Sequence, residues 1–515
     1  RPEPSPRPAA ECDGRRHTAP EPFLAWASIR PSDPHDPRHR ARRAARLRTE
    51  EIDMPLTDPT DASAPPAATP VPLGAVPPLE RPADLPRDLA GLRRHFAPVF
   101  ARIAEGSRER DRRRILPFEE VRALNEAGFA TLRVPAEAGG PGVDVRTAVA
   151  LLIDLAEADA NVAHLYRSHL GFLDSLRFQP EAVRERWHAR ILAGATVGNA
   201  STEKGGNALG TLNTVLTPAP AGDGPWTLTG TKFYATGSIF SSHTRVSAAQ
   251  TDADGRPAPG RRFAVVPVEA PGVRLDDDWD GFGQRLTGTG TAVFDGVAVP
   301  PQDVLDRAPG SAEAVYEAAW FQLILLAVLA GIARAARRDA ADAVAVRVRT
   351  FNTGLGLPFR EDPLIQEAVG RIAAKAFTAE AAVLSAADAL DAALADHEAG
   401  RTGSGAPEEV PASFTWAELA VEHAQVTVPE LALGAAQELF LTGGASATST
   451  AKGLDRHWRN AQTVATHNPI AFRARAIGDF WINGTVPEGL NAIGDAPAAS
   501  APLGADAPAS GEAAR

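Results

Sequence analysis

The sequence predicts an α+β multidomain fold in which two helical blocks flank a small β block. Apolar residues recur at spacings of three and four in the first and last blocks, as on one face of a helix. In the middle block they alternate at period two between glycine and proline, as in strands. We expect an N-terminal helical domain over 87–196, a central β domain over 197–306 and a C-terminal helical domain over 307–490.

The N-terminal block is predicted to hold at least three helices. In "FEEVRALNEAGFATL", Val121, Leu124 and Ala127 lie on one face, and the helix is expected to stop at Gly128. The segment "VRTAVALLIDLAEADANVAHLYRSHLGFLDSL" is apolar throughout and predicts one longer helical run. A further helix, "PEAVRERWHARILAG", follows with Pro180 near its start.

The middle and last blocks differ in period. "WTLTGTKFYATGS" alternates through Trp226 and Leu228, and "RFAVVPVEAPGVRL" and "GTAVFDGVAVP" are further β-rich runs. In the last block, "AWFQLILLAVLAGIA" (319–333) is shorter than the ~20 residues of a membrane crossing and predicts a buried helix. Residues 397–413 predict a mobile loop between the later helices.

Both ends of the chain have a composition that cannot bury much surface. Residues 1–86 are rich in proline, alanine and arginine and predict a disordered extension, with translation expected to begin at Met54, the only methionine. The arginine run "RHRARRAARLR" leaves open a nucleic-acid arm or a targeting segment. Residues 491–515 predict a disordered tail.

Composition narrows the function classes. The net charge of -11 and pI of about 5.6 argue against a nucleic-acid partner, because phosphate binding needs a basic face. Cys12 is the only cysteine, so an internal disulfide or thiolate cluster is excluded. With no apolar stretch in residues 1–30, we expect a cytoplasmic protein.

Several common motifs are missing from the sequence. It contains neither a phosphate-binding G-x-x-x-x-G-K-[ST] loop nor a nucleophile elbow G-x-S-x-G, and "GFGQRLTGTG" precedes a strand instead of opening a helix. His164 and His169 are five residues apart, which does not match the H-E-x-x-H spacing, so we predict no metal site. A redox cofactor would therefore have to be reduced by substrate or by another protein.

Three strings carry a resemblance to a known family. "GTKFYATG", "DDWDGFGQRLTGTGT" and "LDRHWRNA" followed by "THNP" are similar to the acyl-CoA dehydrogenase superfamily. They are most similar to its branch of sulfur-acquisition oxidoreductases and dibenzothiophene monooxygenases, and the resemblance spans residues 85–489. It implies an N-terminal helical domain, a central β-barrel domain and a C-terminal four-helix bundle. It also implies a homotetramer or dimer in which a neighbouring subunit completes the flavin site.

The resemblance leaves two activities to distinguish. Acyl-CoA dehydrogenation requires a carboxylate base beside the flavin. In dehydrogenases it lies in the loop corresponding to 461–469, which has no Asp or Glu here, or at a position matching Phe321. Glu317, one turn upstream, is the remaining candidate base. The sequence therefore favours oxygen activation in a water-excluding, hydrogen-bonding pocket over desaturation.

The resemblance also assigns site residues. The predicted catalytic residues are His169, Asn199, Thr236 and His467, with His164 an alternative to His169 by spacing alone. Thr236 is expected to hydrogen-bond flavin N5 or reduced oxygen, and His467 to donate or relay a proton. The predicted cofactor-binding residues are Asn199, Thr202, Thr236, Gly237, Ser238, Trp279, Arg349, Gln437, Gly443 and Gly444.

Arg349 and the turn at Gly443 and Gly444 are expected to bind the flavin phosphate. Members of the branch carry arginine where this chain has Ser446, a loss that weakens phosphate binding by ~1.5–3 kcal/mol unless Lys204 compensates.

The prediction is a two-component monooxygenase that receives reduced FMN from a separate flavin reductase, with FAD as the other possible flavin. It would use O2 to oxygenate a small organosulfur or related compound. Three alternatives stay open: an acyl-CoA dehydrogenase with a displaced base, a non-catalytic scaffold of the same fold, and a monooxygenase acting on carbon or nitrogen.

Overall fold

The computed structural model describes residues 85–204, 212–220, 224–348, 350, 354–400 and 410–487. The predicted N-terminal extension, apart from its last two residues, and the predicted tail lie outside this range. So do Arg349 and residues 401–409 of the predicted mobile loop.

In the described part of the chain, five α-helices precede the sheet. They are α1 (Leu89–Arg113), α2 (Phe118–Glu126), α3 (Val145–Ala158), α4 (Ala160–Ser175) and α5 (Glu181–Leu192). As predicted, α2 ends just before Gly128, which adopts a left-handed φ of 89°. The prediction of one continuous run over α3 and α4 was wrong.

The break between α3 and α4 is made by Asp159, whose backbone is extended (φ -156°, ψ 112°). Its carboxylate caps α4 by accepting a hydrogen bond from the backbone N–H of Asn161 at 3.0 Å. It also accepts a bond from Arg110 at 2.8 Å, and both side chains are buried. The helix cap and the ion pair of Asp159 thus separate two helices within an apolar stretch of sequence.

Eight strands form one sheet that curls into a half-barrel. They are β1 (Val197–Ala200), β2 (Val215–Thr217), β3 (Trp226–Lys232), β4 (His243–Thr251), β5 (Pro257–Pro267), β6 (Val273–Leu275), β7 (Ala292–Val299) and β8 (Val304–Asp306). The order is β6-β7-β3-β2-β4-β5-β8, with β1 paired to β4. β1 and β2 run parallel to β4, and the other pairs are antiparallel.

Between residue 307 and residue 487, the described residues form five α-helices that follow the sheet. They are α6 (Ala312–Val346), α7 (Pro363–Glu398), α8 (Ala412–Glu438), α9 (Asp455–Ala465) and α10 (Ile470–Asn483). Helix α6 is long and apolar enough to cross a membrane by length and composition, but 89% of its most apolar stretch is buried inside the protein. That burial is typical of a core helix, as the sequence predicts.

One apolar core runs through both helical blocks. It joins side chains of α1, α3 and α4, such as Leu151 and Tyr166, to side chains of α6, α7 and α8, such as Ile324 and Leu390. The sheet has a separate core around Leu228 and Phe294. The predicted α+β fold class is confirmed. A cleft lies where α4, the start of α6 and the α9–α10 turn face the sheet.

Candidate active site

A cavity of about 550 Å³ lies in this cleft. Its walls come from α4, β1, the turn after β3, the segment between β6 and β7, the first turns of α6, and the α9–α10 turn. Of the predicted site residues, those that line it are Asn199, Thr202, Thr236, Trp279 and His467. Residues far apart in the chain are therefore brought together.

Helix α4 contributes His164 to the cavity. Its Nδ1 lies 3.2 Å from the side-chain oxygen of Gln284, an acceptor, so the neutral ring carries its proton on Nδ1. Burial, and then the nearby Arg167 guanidinium, lower the pKa of His164 to about 4. Its ring is thus uncharged at neutral pH, and the second nitrogen is left as an acceptor.

His169, which the resemblance placed at the flavin, does not line the cavity. Its Nε2 lies 2.7 Å from the carbonyl oxygen of Ala130, and its Nδ1 accepts the backbone N–H of Val197 at 3.2 Å. Both ring nitrogens are therefore used in joining α4 to the first strand. The structure corrects the position: the cavity histidine of α4 is His164, five residues earlier.

The turn after β3 and the segment between β6 and β7 together present a row of hydroxyl groups. Thr236 Oγ1 lies 2.8 Å from Thr289 Oγ1, which lies 2.6 Å from Thr287 Oγ1, and all three residues line the cavity. Asn199, at the end of β1, accepts a bond from Ser201 at 3.0 Å and leaves its amide N–H groups for a ligand. The cavity wall here offers both donors and acceptors.

The segment that contains Thr202 is fixed by a buried ion pair of the next residue, Glu203. The backbone of Thr202 bridges Phe233, and Glu203 binds Lys232 at 2.7 Å. Glu203 also accepts the backbone N–H groups of Asn213 and Thr214 at 2.7 and 2.9 Å. These bonds fix the chain that follows β1 against the sheet.

Trp279 lines the cavity with its indole ring. Its Nε1 donates to the carbonyl oxygen of Gly283 at 3.2 Å. Arg114 donates two hydrogen bonds of 2.8 Å to the carboxylate of Asp277, two residues before the tryptophan. Gly281 lies directly against the indole, so a Cβ at that position would collide with the ring. The loop is therefore built around this one side chain.

His467 enters from the α9–α10 turn and is exposed toward the cavity in the single chain. Although the ring is open to the cavity, the protein atoms around it reduce its solvation, and this effect and then the positive charge of Arg167 lower the pKa of His467 to about 3. The next residue, Asn468, donates to the side chain of Gln322 at 2.7 Å and anchors the turn to α6. Like His164, His467 is neutral at physiological pH.

Glu317 is the only carboxylate among the residues that line the cavity. It is buried and forms ion pairs with both Arg245 and Arg307. Although burial alone would raise the pKa of Glu317, the two guanidinium groups lower it to about 2. A carboxylate so stabilised is a poor base, so the candidate dehydrogenase base is already neutralised. Glu313, one turn earlier, binds Gln179 at 2.9 Å and does not line the cavity.

The remaining predicted residues lie elsewhere. Gly237 and Ser238 are buried behind Thr236, and the Ser238 hydroxyl donates to the carbonyl oxygen of Asn199 at 3.3 Å. Gln437, at the end of α8, and the turn at Gly443 and Gly444 are not part of the cavity in one chain.

Ser446, which stands where members of the branch carry arginine, has two cations beside it. Its Oγ accepts bonds from Arg347 and Lys452, each at 3.3 Å. Lys204, by contrast, lies over the rings of Phe233 and Tyr234 at 4.6 and 5.3 Å.

Sequence reasoning missed several residues of the wall. Gln284, Thr287 and Thr289 lie in the string "DDWDGFGQRLTGTGT" that carried the resemblance. The resemblance of that string could therefore have identified them as cavity residues. Arg167 is three residues after His164 and lies on the same helix face. The spacing could therefore have predicted that both side chains line the cavity. Arg245 and Arg307 lie in no recognised motif, so no sequence pattern indicated that they belong to the site.

Comparison with known proteins agrees with this geometry. The family model "Acyl-CoA dehydrogenase, N-terminal domain" matches residues 93–195, and "Acyl-CoA dehydrogenase, C-terminal domain" matches residues 323–472. The two matches cover the helical blocks on either side of the sheet. The chain belongs to the acyl-CoA dehydrogenase superfamily.

Within the superfamily the chain falls among flavin-dependent monooxygenases. Dibenzothiophene monooxygenase of Mycolicibacterium goodii is 28% identical over 391 residues, 74% of this chain and 90% of that protein. The probable FMNH2-dependent monooxygenase SfnC of Pseudomonas putida is 28% identical over 414 residues, 78% of this chain and 96% of that protein. TdsC from Paenibacillus sp. A11-2, crystallised with FMN and indole, is 28% identical with a TM-score of 0.68, over 77% of this chain and 99% of TdsC.

Proposed function

We propose that this protein is the oxygenase of a two-component system, receives reduced FMN from a separate flavin reductase, and uses O2 to oxygenate a small organosulfur compound. The supporting observation is the cavity wall. It combines two neutral histidines, His164 and His467, with one carboxylate that two arginines already neutralise. A dehydrogenase needs a free carboxylate at this wall, and an oxygenase needs hydrogen-bond donors there.

The wall fits an isoalloxazine ring. Trp279 and Phe321 offer aromatic faces, and Asn199, Thr202 and Thr236 offer amide and hydroxyl groups for the alternating donors and acceptors of a flavin edge. The Gln284 side-chain nitrogen is buried without a hydrogen-bond partner in the described protein, which is costly unless a ligand accepts from it. Reduced FMN, when bound, supplies the two electrons that reduce O2.

The chain's own residues have three tasks in this account. Trp279 and Phe321 keep water from the reacting edge. Thr236 and Asn199 position the flavin through hydrogen bonds. His467 donates an N–H to oxygen, because its lowered pKa keeps the ring neutral with one nitrogen protonated.

The assembly belongs to the same proposal. Gln437, Gly443 and Gly444 do not reach the cavity of their own chain, which supports a homotetramer or dimer in which they serve a neighbouring subunit. Arg347 and Lys452, beside Ser446, would there supply the cations for the flavin phosphate. A role in cytoplasmic sulfur metabolism follows from the same proposal.

An oxygen-consumption assay tests the function. The full chain is mixed with photoreduced FMN and a panel of sulfones, sulfinates, sulfonates and thiophenes, and product is counted against O2 consumed. We expect at least one panel member to give an oxygenated product without added acyl-CoA. Ferricenium-linked oxidation of acyl-CoAs, with no oxygenated product from any panel member, would instead identify a dehydrogenase. Failure to bind oxidised or reduced flavin would identify a non-catalytic scaffold.

A further inference from the structure

Arginine is the most frequent charged residue among the described residues that line the cavity. Four arginines line it, namely Arg167, Arg245, Arg261 and Arg307, and Glu317 is the only acidic residue among the lining side chains. Neither the flavin-binding nor the oxygen-activating roles assigned above use these arginines.

Arg167 is the most informative of the four. Its Nε donates to the backbone carbonyl of Phe321 at 3.0 Å, and its guanidinium lies 4.8 Å from the centre of the Phe321 ring. No carboxylate in the described part of the chain forms an ion pair with it. Burial accordingly lowers the pKa of Arg167 to about 10, yet the group stays charged at neutral pH.

Arg245 lies nearby on the same wall. It is 4% exposed, contacts Glu317, and packs 4.0 Å from the centre of the Phe263 ring. Its Nε is buried without a hydrogen-bond partner in the described protein. Glu317 and Phe321 are four residues apart on α6, so Arg245 and Arg167 lie at neighbouring positions along one helix face.

A partly buried guanidinium that forms no ion pair with a carboxylate is costly unless a ligand supplies the opposite charge. The planar group presents parallel N–H donors that match two oxygens of a carboxylate, sulfinate or sulfonate. Arg167 lines the same cavity as His164 and His467, and its positive charge lowers the pKa values of both rings. An anion at Arg167 would thus lie beside the site of oxygenation.

We propose that the substrate carries a small oxyanion, a sulfinate, sulfonate or carboxylate, which Arg167 binds directly and Arg245 stabilises from behind. This inference rests on the proposed oxygenase function and narrows its substrate class from organosulfur compounds in general to anionic ones. Neutral sulfones and thiophenes of similar size are then poor ligands.

A binding experiment without flavin turnover tests the inference separately from the oxygenase function. Methanesulfonate and dimethyl sulfone have similar size and differ in charge, and acetate tests whether a carboxylate suffices. In a ligand-observed NMR titration of the full chain, we expect methanesulfonate to bind roughly 10-fold more tightly than dimethyl sulfone or better. Equal affinities for the two would overturn the proposal.

Variants assign the effect to Arg167. Arg167→Met should weaken methanesulfonate binding roughly 10- to 100-fold, and Arg167→Lys should restore part of it. Arg274→Met, at an exposed arginine on β6, is the matched control and should bind as the parent does. Unchanged methanesulfonate binding in Arg167→Met would refute the assignment, and the Lys variant decides it if the Met variant fails to fold.

The flavin phosphate is the competing anion at Arg167. Titrations of Arg167→Met with FMN and with riboflavin, which lacks the phosphate, separate the two. We expect the ratio of the FMN and riboflavin affinities to be the same as in the parent. A selective loss of FMN affinity with methanesulfonate binding unchanged would assign Arg167 to the cofactor and overturn the proposal.

Discussion

The two cavity histidines are held neutral by the same surroundings. Burial lowers the pKa values of His164 and His467 to about 4 and about 3, and the positive charge of Arg167 adds to the effect. A neutral imidazole offers one donor and one acceptor, whereas an imidazolium offers only donors. His467 can therefore donate a hydrogen bond to reduced oxygen without adding a positive charge to the resting cavity.

Replacing His467 tests this role. His467→Ala should consume O2 but release hydrogen peroxide with little oxygenated product, because the reduced oxygen loses its donor. The measurement is the ratio of product to O2 consumed, with peroxide assayed in parallel. His423→Ala, at a histidine of α8 outside the cavity, is the control. Unchanged coupling in His467→Ala would refute the role.

The pH dependence of coupling follows from the same pKa values. Because both folded-state pKa values lie far below the ordinary 6.5, the coupling ratio should be constant from about pH 5.5 to 8. The unfolded chain binds these protons more readily, so the two histidines should cost stability as pH falls from about 6.5 toward 4.

A coupling profile between those pH values locates any titrating group. Burial raises the pKa of Glu313 to about 7, so Glu313→Gln controls for a group outside the cavity. An inflection near pH 6.5 that persists in Glu313→Gln would contradict the neutral-histidine account.

His169 should behave differently from His467. Removing its ring leaves the Val197 N–H and the Ala130 carbonyl without their partner inside the protein. His169→Ala should lower the free energy of unfolding by about 2–4 kcal/mol, measured by urea denaturation. The coupling ratio of the folded variant should match the parent, and selective uncoupling without loss of stability would return His169 to the active site.

The sequence could not decide between the two histidines of α4 on physical grounds. Every residue of α4 except Arg167 is buried, so the helix has no solvent face to set its orientation. Period alone therefore could not show which histidine meets the sheet and which meets the cavity. His467 was easier to predict, because "THNP" interrupts two helical patterns with polar residues.

At the scale of elements, the break between α3 and α4 shows a similar limit. Both sides of Asp159 are apolar, so the pattern predicts one helix. The break depends on Arg110 of α1, 49 residues earlier, which supplies the buried charge that makes an acidic residue acceptable there. Such a long-range partner is invisible to local periodicity.

Removing the Asp159 carboxylate should destabilise the fold. Asp159→Ala removes the cap of α4 and leaves Arg110 with Glu120 as its remaining carboxylate, so we expect a loss of about 3 kcal/mol in the free energy of unfolding. Glu109→Ala, which removes an exposed ion pair of α1, is the matched control and should leave the denaturation midpoint almost unchanged. Equal effects of the two substitutions would contradict this account.

At the scale of the whole molecule, the order of helical and β blocks was predictable from period alone. The sharing of one core by both helical blocks was not, because contacts such as those between α3 and α6 join segments more than 150 residues apart. The curl of the sheet, which places Thr236 and Trp279 opposite α4, depends on the strand order. The resemblance supplied what local patterns could not.

The phosphate site is a property of the assembly. If a neighbouring chain contributes the turn near Ser446, Lys452→Met should weaken FMN binding roughly fivefold and leave riboflavin binding unchanged. Fluorescence titrations of both flavins measure the difference, with Lys204→Met as the matched control. A phosphate-selective loss in Lys204→Met instead would place the phosphate near the sheet.

Isotope labelling tests the central claim most directly. The full chain, photoreduced FMN and a substrate are mixed under 18O2, and the product is analysed by mass spectrometry. The account predicts one 18O atom in each product molecule and the other in water. Product formed without 18O, or turnover that proceeds equally well when O2 is replaced by ferricenium, would contradict it.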